Sequence, residues 1–211
     1  MILEFNQIGR QPNPIFEGKI GDEVVIAGKG ATQSNDAYIS FGSDKIDISS
    51  NPHREKIDGK MATQVVDLLS DGNRIGYVYP DLVEQKKILF LSFGYDYFVF
   101  NFNGVDYNAF EVGLGEDKHF ICVYNGEETV AIIKKHDEKI NYCDKYTIYS
   151  IDDTLMLPMS VLAMYFDCIR YPDHGEIVDE FQGDDSFLTT QKELNAKYDP
   201  TFIAKVEALN K

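Results

Sequence analysis

The sequence contains no tryptophan, only three cysteines and no glycine-rich loop of the kind that binds a nucleotide. The cysteines, Cys122, Cys143 and Cys168, are odd in number and form no CxxC pair, which excludes a disulfide framework and a zinc motif. Each cysteine lies beside aromatic or aliphatic residues, so we expect buried, reduced thiols. We expect no bound metal and no cofactor, because the sequence shows no motif for either.

Positive charge is also scarce. The chain has 20 Lys and Arg against 35 Asp and Glu, which gives a net charge of −15. Nucleic acids and anionic membranes both require clustered Lys and Arg, so this balance disfavours them as partners. It is compatible with a basic protein partner, with a cation, or with solubility alone.

Long hydrophobic segments are absent as well. The first ten residues, MILEFNQIGR, have no apolar h-region, so we expect no signal peptide. No apolar run reaches the length of about 20 residues that a transmembrane helix needs. From these features we expect a cytoplasmic protein without a transmembrane span.

The composition nevertheless supports a substantial core rich in β-structure. The 211 residues include 44% hydrophobic residues, with 13 Tyr and 14 Phe. This length fits one large domain, or one domain with an appendage. Aromatic residues favour strands, so we expect a mainly β protein.

Turn signals divide the chain into β-hairpins. Gly21-Asp22 separates two short β-like runs, and three later pairs, Asp71-Gly72, Asn103-Gly104 and Asn125-Gly126, favour tight hairpin turns. The more continuous apolar run Lys86 to Phe93 predicts a single strand that is buried on both faces. The sequence therefore predicts many antiparallel strands, the last of them at Asp144 to Ile151.

One helix is predicted at 158–171, PMSVLAMYFDCIRY, and it is apolar on almost every face. Such a helix must be surrounded by protein or lipid. Pro158 suits the first turn and Pro172 ends the helix. Because the segment is too short to span a bilayer, we expect the strands to enclose it.

Asp167 is the lone acid within this helix and is our only candidate functional residue. It could accept a proton or bind a cation in a dry interior. Alternatively, it could pair with Arg170, or accept a hydrogen bond from a backbone N–H or a tyrosine hydroxyl. The four histidines, His53, His119, His136 and His174, show no ligand or nucleophile spacing, so we predict no catalytic residues.

The predicted tail, residues 173–211, begins with an acidic run at 173–185. This run lacks the spacing of a calcium loop. We interpret it as a solvated linker, and whether it binds a cation stays open. Two short helices are expected after it, one starting from a capping box at Thr190 and Glu193 and one after Asp199-Pro200. The second would present Phe202, Val206 and Leu209 on one face.

Three runs in order, AIIKK, DKYTIYS and the apolar helix ending MYFDCIRY, resemble the C-terminal part of tubby-like domains. The similarity is greatest to the group of LURP-one-related proteins and phospholipid scramblases, and it covers roughly 77–171. It implies a closed antiparallel β-barrel of repeated hairpins threaded by a hydrophobic helix. The expected domain is therefore a tubby-like barrel at 1–172, followed by the tail as a helical appendage.

The resemblance implies no catalytic signature. Tubby proteins bind phosphoinositides through clustered basic residues, whereas here Lys86-Lys87, Lys134-Lys135, Arg54 and Lys56 are scattered in an acidic chain. We therefore expect no phosphoinositide binding. The first hypothesis is a non-enzymatic binding or scaffold protein with an unknown ligand. The second is an acidic inhibitor or immunity-type protein that masks a basic partner, and an enzyme is the third.

Overall fold

A computed structural model describes residues 1–9, 14–30, 37–49, 51–88, 91–139, 141, 143–170 and 191–210. Of residues 85–88 and 91–93 it describes the backbone alone. Pro172, His174, the acidic run and Thr190 lie outside these ranges, and the predictions made for them stay predictions.

The described chain forms thirteen strands, which follow one another before the first long helix. Their bounds are β1 Ile2–Gln7, β2 Ile15–Ile20, β3 Glu23–Lys29, β4 Ala37–Phe41, β5 Asp44–Ile48, β6 His53–Ile57, β7 Lys60–Ser70, β8 Asn73–Ile88, β9 Leu91–Phe102, β10 Val105–Gly113, β11 His119–Asn125, β12 Glu128–Lys135 and β13 Lys145–Ser150.

Twelve of these strands close into an antiparallel β-barrel, which confirms the mainly β prediction. Strands that are neighbours in sequence pair with each other, except β5 and β6, and β13 returns to pair with β1. The barrel closes where β5 pairs with β7 through Asp47↔Leu69 and Ile48↔Leu68. The remaining strand, β6, pairs with β7 beyond the point of closure.

Most of the predicted hairpin turns are confirmed. Asp71-Gly72 and Asn103-Gly104 both have positive φ at each residue, as the tight turns between antiparallel strands require. The third turn lies one residue later than predicted, at Gly126-Glu127, because Asn125 still pairs with Glu128. A register shift between Val123 and Tyr124 accounts for this displacement.

The prediction for 86–93 was wrong. This run does not form one strand: β8 ends at Ile88, β9 begins at Leu91, and these two residues pair with each other. Nothing in the sequence marks the division of this run between two strands, since it contains no Gly, Pro, Asn or Asp. Pairing along two long strands, of 16 and 12 residues, therefore decides where the chain reverses.

The predicted apolar helix is present and buried. Helix α1, Met156–Tyr165, begins two residues earlier than predicted and continues as a π-helical turn, Phe166–Arg170. Every residue of α1 except Leu157 is buried, and Leu162 and Phe166 are both 0% exposed. Pro158 occupies the first turn, where a missing N–H is tolerated.

Strands β10 to β12 contribute their two faces to two different cores. Ala109, Ile121 and Ile133 belong to a core that also contains the buried residues of α1. The alternate positions Val112, Cys122 and Ile132 belong to a second core, shared with the two tail helices. This split follows the period of two along a strand.

The tail forms α2, Lys192–Asn195, and α3, Phe202–Leu209. Asp199 accepts hydrogen bonds from the backbone and the hydroxyl of Thr201, so it stabilises the start of α3. Phe202 and Val206 are buried against the strands as expected. Leu209 is 69% exposed, so the predicted three-residue stripe is wrong at its last position, one turn beyond the core.

Candidate functional site

Buried ionisable groups collect at the barrel end where the π-helical turn lies. His119, Lys135 and Tyr146 occupy directly opposed positions on β11, β12 and β13. Opposed residues of an antiparallel pair point to the same side of the sheet. We call the buried residues Gln7, Glu111, His119, Lys135, Asp144 and Asp167 the buried polar cluster.

Asp167, the candidate residue from the sequence, belongs to this cluster and is 1% exposed. Its Oδ1 accepts a hydrogen bond of 2.9 Å from the Tyr146 hydroxyl. Of the alternatives considered from the sequence, the tyrosine hydroxyl is therefore one that the structure provides. The π-helical turn that carries Asp167 is itself notable, since such turns are frequent at functional sites.

Arg170, the last residue of the turn, contacts a different carboxylate. Its Nε lies 3.4 Å from Oε2 of Glu111, and His119 Nε2 lies 3.3 Å from Oε1 of the same side chain. The guanidinium also lies 6.0 Å from the ring of Phe98, within range of a cation–π contact. Glu111 therefore anchors Arg170 at the barrel end while half of the Arg170 side chain stays exposed.

Two lysines neutralise the buried Asp144. The ammonium groups of Lys135 and Lys139 each lie 3.4 Å from its Oδ1. Gln7 fixes the backbone of the same residue, because its Oε1 accepts a 3.1 Å hydrogen bond from the Asp144 N–H. Buried charges are tolerated when they are paired in this way. The arrangement supports a structural role for Asp144.

A cleft of 440 Å³ opens beside the π-helical turn. It separates β7 from β8, whose pairing ends at Val66↔Val78. Two residues further along β8 is Pro80, which has no N–H to donate to a neighbouring strand. Beyond this point β7 pairs with β6 instead. We call the opening the Arg170 cleft, and its lining includes Tyr79, Leu82, Phe98, Tyr165, Ile169 and Arg170.

The bulge in β7 forms the opposite wall of the Arg170 cleft. Gln64 lines the cleft and has a φ of 58°, which is uncommon for a residue other than glycine. The pairing of β6 with β7 shifts register beside it. Backbone strain of this kind persists where the surrounding structure requires it, and it is enriched at binding sites.

A second cleft, of 240 Å³, is also lined by Arg170. Arg170, Glu111, Asp96 and Phe98 contribute to it, together with Gln191 and Leu194 from the start of the tail. Gln191 donates a 3.1 Å hydrogen bond to the carbonyl of Gly94, which holds the tail against β9. Arg170 therefore contributes to the walls of both clefts.

The Cys168 thiol of the π-helical turn and the Tyr165 phenol that lines the Arg170 cleft are poor nucleophiles. Burial, together with the neighbouring Asp167 carboxylate, raises the pKa of Cys168 well above its usual value. Burial also raises the pKa of Tyr165 to about 12. All three cysteines are buried and free, which confirms that part of the prediction. Neither Cys168 nor Tyr165 is therefore activated as a nucleophile.

A third group of ligand-type side chains lies on β6 and β7. Potential ligand atoms of His53, Glu55 and Asp67 all lie within 4.8 Å of one another. However, Arg74 lies between the two carboxylates, at 2.7 Å from Glu55 and 2.8 Å from Asp67. Its guanidinium supplies the positive charge that a metal ion would otherwise bring. In the sequence, the only signal for this group was the spacing of His53 and Glu55, since residues two apart on a strand lie on the same face.

Sequence reasoning located Asp167 but missed most of its surroundings. Glu111, Lys135 and Asp144 each lie on or beside a predicted strand, and their burial required knowing the register. Pro80, within a strand pattern, was the one local signal for the Arg170 cleft.

His119 and Cys122 lie on opposite faces of β11, as their spacing predicts. His136 contacts Thr147 at 2.9 Å, and burial lowers its pKa.

These features define a closed antiparallel β-barrel with buried ionic pairs and clefts at one end and a short helical tail. Comparison with known proteins gave no match to a family model, to a curated protein or to a solved structure. Within the ranges described above, no helix has the length and apolar character needed to cross a membrane.

Proposed function

We propose that this chain is a non-enzymatic binding protein of the tubby-like type, and that α1 occupies the interior of its barrel. The burial of α1 on all faces supports this arrangement. A side chain at Gly28 would contact Met164 of the helix, and one at Gly30 would collide with Cys168. The barrel wall therefore lies in close contact with α1 at Gly28 and with the π-helical turn at Gly30.

The proposed ligand site is the Arg170 cleft. Its walls combine aromatic and aliphatic side chains with Lys60, the carboxylates of Asp81 and Asp96 and the half-exposed Arg170 guanidinium, and Met61 at the cleft is 66% exposed. Pockets that are partly apolar with a few fixed polar groups are typical of small-molecule sites. The ligand class that fits is a small molecule with an apolar or aromatic body and one anionic group.

One observation carries this proposal: Arg170 contributes to two clefts while its own position is fixed by the buried Glu111. An arginine held in this way is prepared to pair with a carboxylate or phosphate without reordering. The acids and bases around it are paired with one another, which supports binding without chemistry. The buried free thiols fit a reducing compartment, so we also propose a cytoplasmic location.

The test is a screen of small aromatic carboxylates by two-dimensional NMR. Bound fragments should shift the amide signals of β7, β8 and the π-helical turn. Leu82→Glu, at the half-exposed mouth of the cleft, should weaken such fragments at least about tenfold through charge repulsion. Arg170→Ala should do the same. Arg54→Ala, which removes an equal charge at an exposed position, should leave their affinity unchanged.

Failure of every anionic fragment to bind would contradict the proposal. Fragments that bind equally well to wild type and to Leu82→Glu would also contradict it, since they would occupy another site. Leu82→Glu is the informative variant if Arg170→Ala loses stability by leaving Glu111 without its partner.

A second candidate function is an acidic protein that masks a basic protein partner. The observation that favours it is the placement of carboxylates at the barrel end opposite the Arg170 cleft. Acidic residues lie in or beside each hairpin turn at that end, and all of them are exposed. Such a surface would attract a cationic partner and steer its approach.

A further inference from the structure

The up-and-down topology gathers carboxylates at the barrel end where α1 begins. Five hairpin turns and the link from β13 to α1 all lie at this end, because consecutive strands alternate in direction. We call their exposed carboxylates the acidic rim: Asp22, Glu23, Asp44, Asp71, Asp106, Glu127, Glu128, Asp152 and Asp153.

The cations near the acidic rim have other partners. Lys45 lies 2.7 Å from Asp47, and Lys19 lies 3.6 Å from Glu17. The amino group of Met1 donates a 2.7 Å hydrogen bond to the carbonyl of Ser150; burial lowers the pKa of this amino group, and attraction to Asp153 of the rim offsets part of that lowering. Among the described side chains, no Lys, Arg or His forms an ion pair with a residue of the acidic rim. The negative potential of the rim is therefore available to a partner.

A cleft with mixed polar and apolar lining lies within the acidic rim. Its volume is 480 Å³, and Phe41, Ile75, Phe102 and Leu157 contribute its apolar lining. Asp44 and Asp153 lie at the same cleft and come from separate parts of the chain. This combination differs from a uniformly solvated acidic face, because an apolar side chain could be buried between two carboxylates.

We propose that this end of the barrel binds a cationic segment of a partner protein. One large apolar side chain of the segment enters the 480 Å³ cleft, and flanking Lys or Arg residues pair with Asp44 and Asp153. This inference rests on the second candidate function and specifies where its partner binds. Charge complementarity selects the occupant: nucleic acid is repelled, while a basic segment is attracted at long range.

Because part of the cleft lining is apolar, the affinity of a partner segment should depend on its apolar residues as well as on its charge. A segment with lysines alone would gain only screened surface attraction, which is weak for exposed pairs. A leucine or phenylalanine placed among the lysines would add burial of apolar surface in the cleft, which should tighten binding at least about tenfold. The expected partner segment is therefore both cationic and apolar.

The experiment measures fluorescence anisotropy of two labelled peptides, KKLFKK and KKGSKK, titrated with the full chain. KKLFKK should bind at least about tenfold more tightly, and its binding should weaken as salt rises through about 0.15 M. The double variant Asp44→Asn/Asp153→Asn should reduce KKLFKK affinity about tenfold or more. Asp152 stays intact because its side chain accepts a hydrogen bond from the Thr154 N–H.

The matched control is Glu116→Gln/Glu138→Gln, which removes the same charge at two exposed positions in the β10–β11 and β12–β13 connections, at the opposite end of the barrel. It should change KKLFKK affinity by less than about twofold. Equal weakening by both double variants, or equal binding of both peptides, would show attraction by net charge alone. That result would overturn this inference and leave the second candidate function intact. If neither peptide binds, both this inference and the second candidate function are overturned.

Discussion

Asp167 shows how one buried side chain is accommodated among apolar neighbours. A carboxylate inside a protein is costly unless hydrogen bonds or opposite charges compensate it. Here the Tyr146 hydroxyl, across from the π-helical turn, donates a 2.9 Å hydrogen bond to it. The pair links the last barrel strand to the segment that follows α1, so it fixes the position of Arg170 nearby.

If that role is structural, Asp167→Asn should lower stability by about 1–3 kcal/mol, because the amide still accepts a hydrogen bond but loses its charge. Urea unfolding of Asp167→Asn, of Tyr146→Phe and of the double variant measures the coupling free energy between these two side chains. The double variant should lose less than the sum of the single losses. A stabilised Asp167→Asn protein that no longer binds its fragments would instead assign Asp167 to ligand binding.

Helix α1 is the element on which the core depends. Its residues belong to the same core as residues of every strand of the barrel, and it contacts β4, β12 and β13. Phe98 of β9 stacks edge-on against Phe166, with ring centroids 4.7 Å apart. Protein interiors are close-packed, so removing part of this helix leaves a cavity rather than a collapsed core.

Leu162→Ala should therefore lower the free energy of unfolding by about 2–5 kcal/mol, through lost burial and the cavity left behind. Chemical denaturation measures the change. The control is Leu209→Ala on α3, where the side chain is 69% exposed and the change should stay within about 0.5 kcal/mol. A Leu162→Ala protein as stable as wild type would contradict the assigned role of α1.

At the scale of the whole molecule, charge is distributed unevenly between the two barrel ends. The acidic rim lies at one end, and the paired charges of the buried polar cluster lie at the other. Lys134 and Lys135, adjacent in sequence, point to opposite faces of β12 and contact Asp117 and Asp144 respectively. These two neighbouring cations therefore do not form a basic patch.

The protein should consequently not sediment with phosphoinositide-containing vesicles at physiological salt, since polybasic attraction is missing. The protein should sediment with vesicles of a cationic lipid, because the chain carries a net charge of −15. Retention on cationic vesicles shows that the assay detects this protein. Salt-sensitive sedimentation with phosphoinositides would mean that folding gathers lysines into a patch, against our inference from composition.

Local features of the sequence determined the β-rich class, the positions of several turns and the apolar helix. Asp71-Gly72 and Asn103-Gly104 form turns because Asp, Asn and Gly tolerate positive φ, a preference that acts within one or two residues. The burial of α1 follows from its composition, since a helix that is apolar on every face cannot remain in water.

Contacts between residues distant in sequence determined the closure of the barrel, the strand register and the surroundings of Asp167 and Arg170. Pairing of β5 with β7 closes the barrel, and pairing of Ile88 with Leu91 divides a run that reads as one strand. The contacts of Asp167 with Tyr146 and of Arg170 with Glu111 form only when the π-helical turn packs against strands elsewhere in the chain. The acidic rim likewise exists only after closure. Register and closure depend on non-local pairing, whose energies no single stretch of sequence contains.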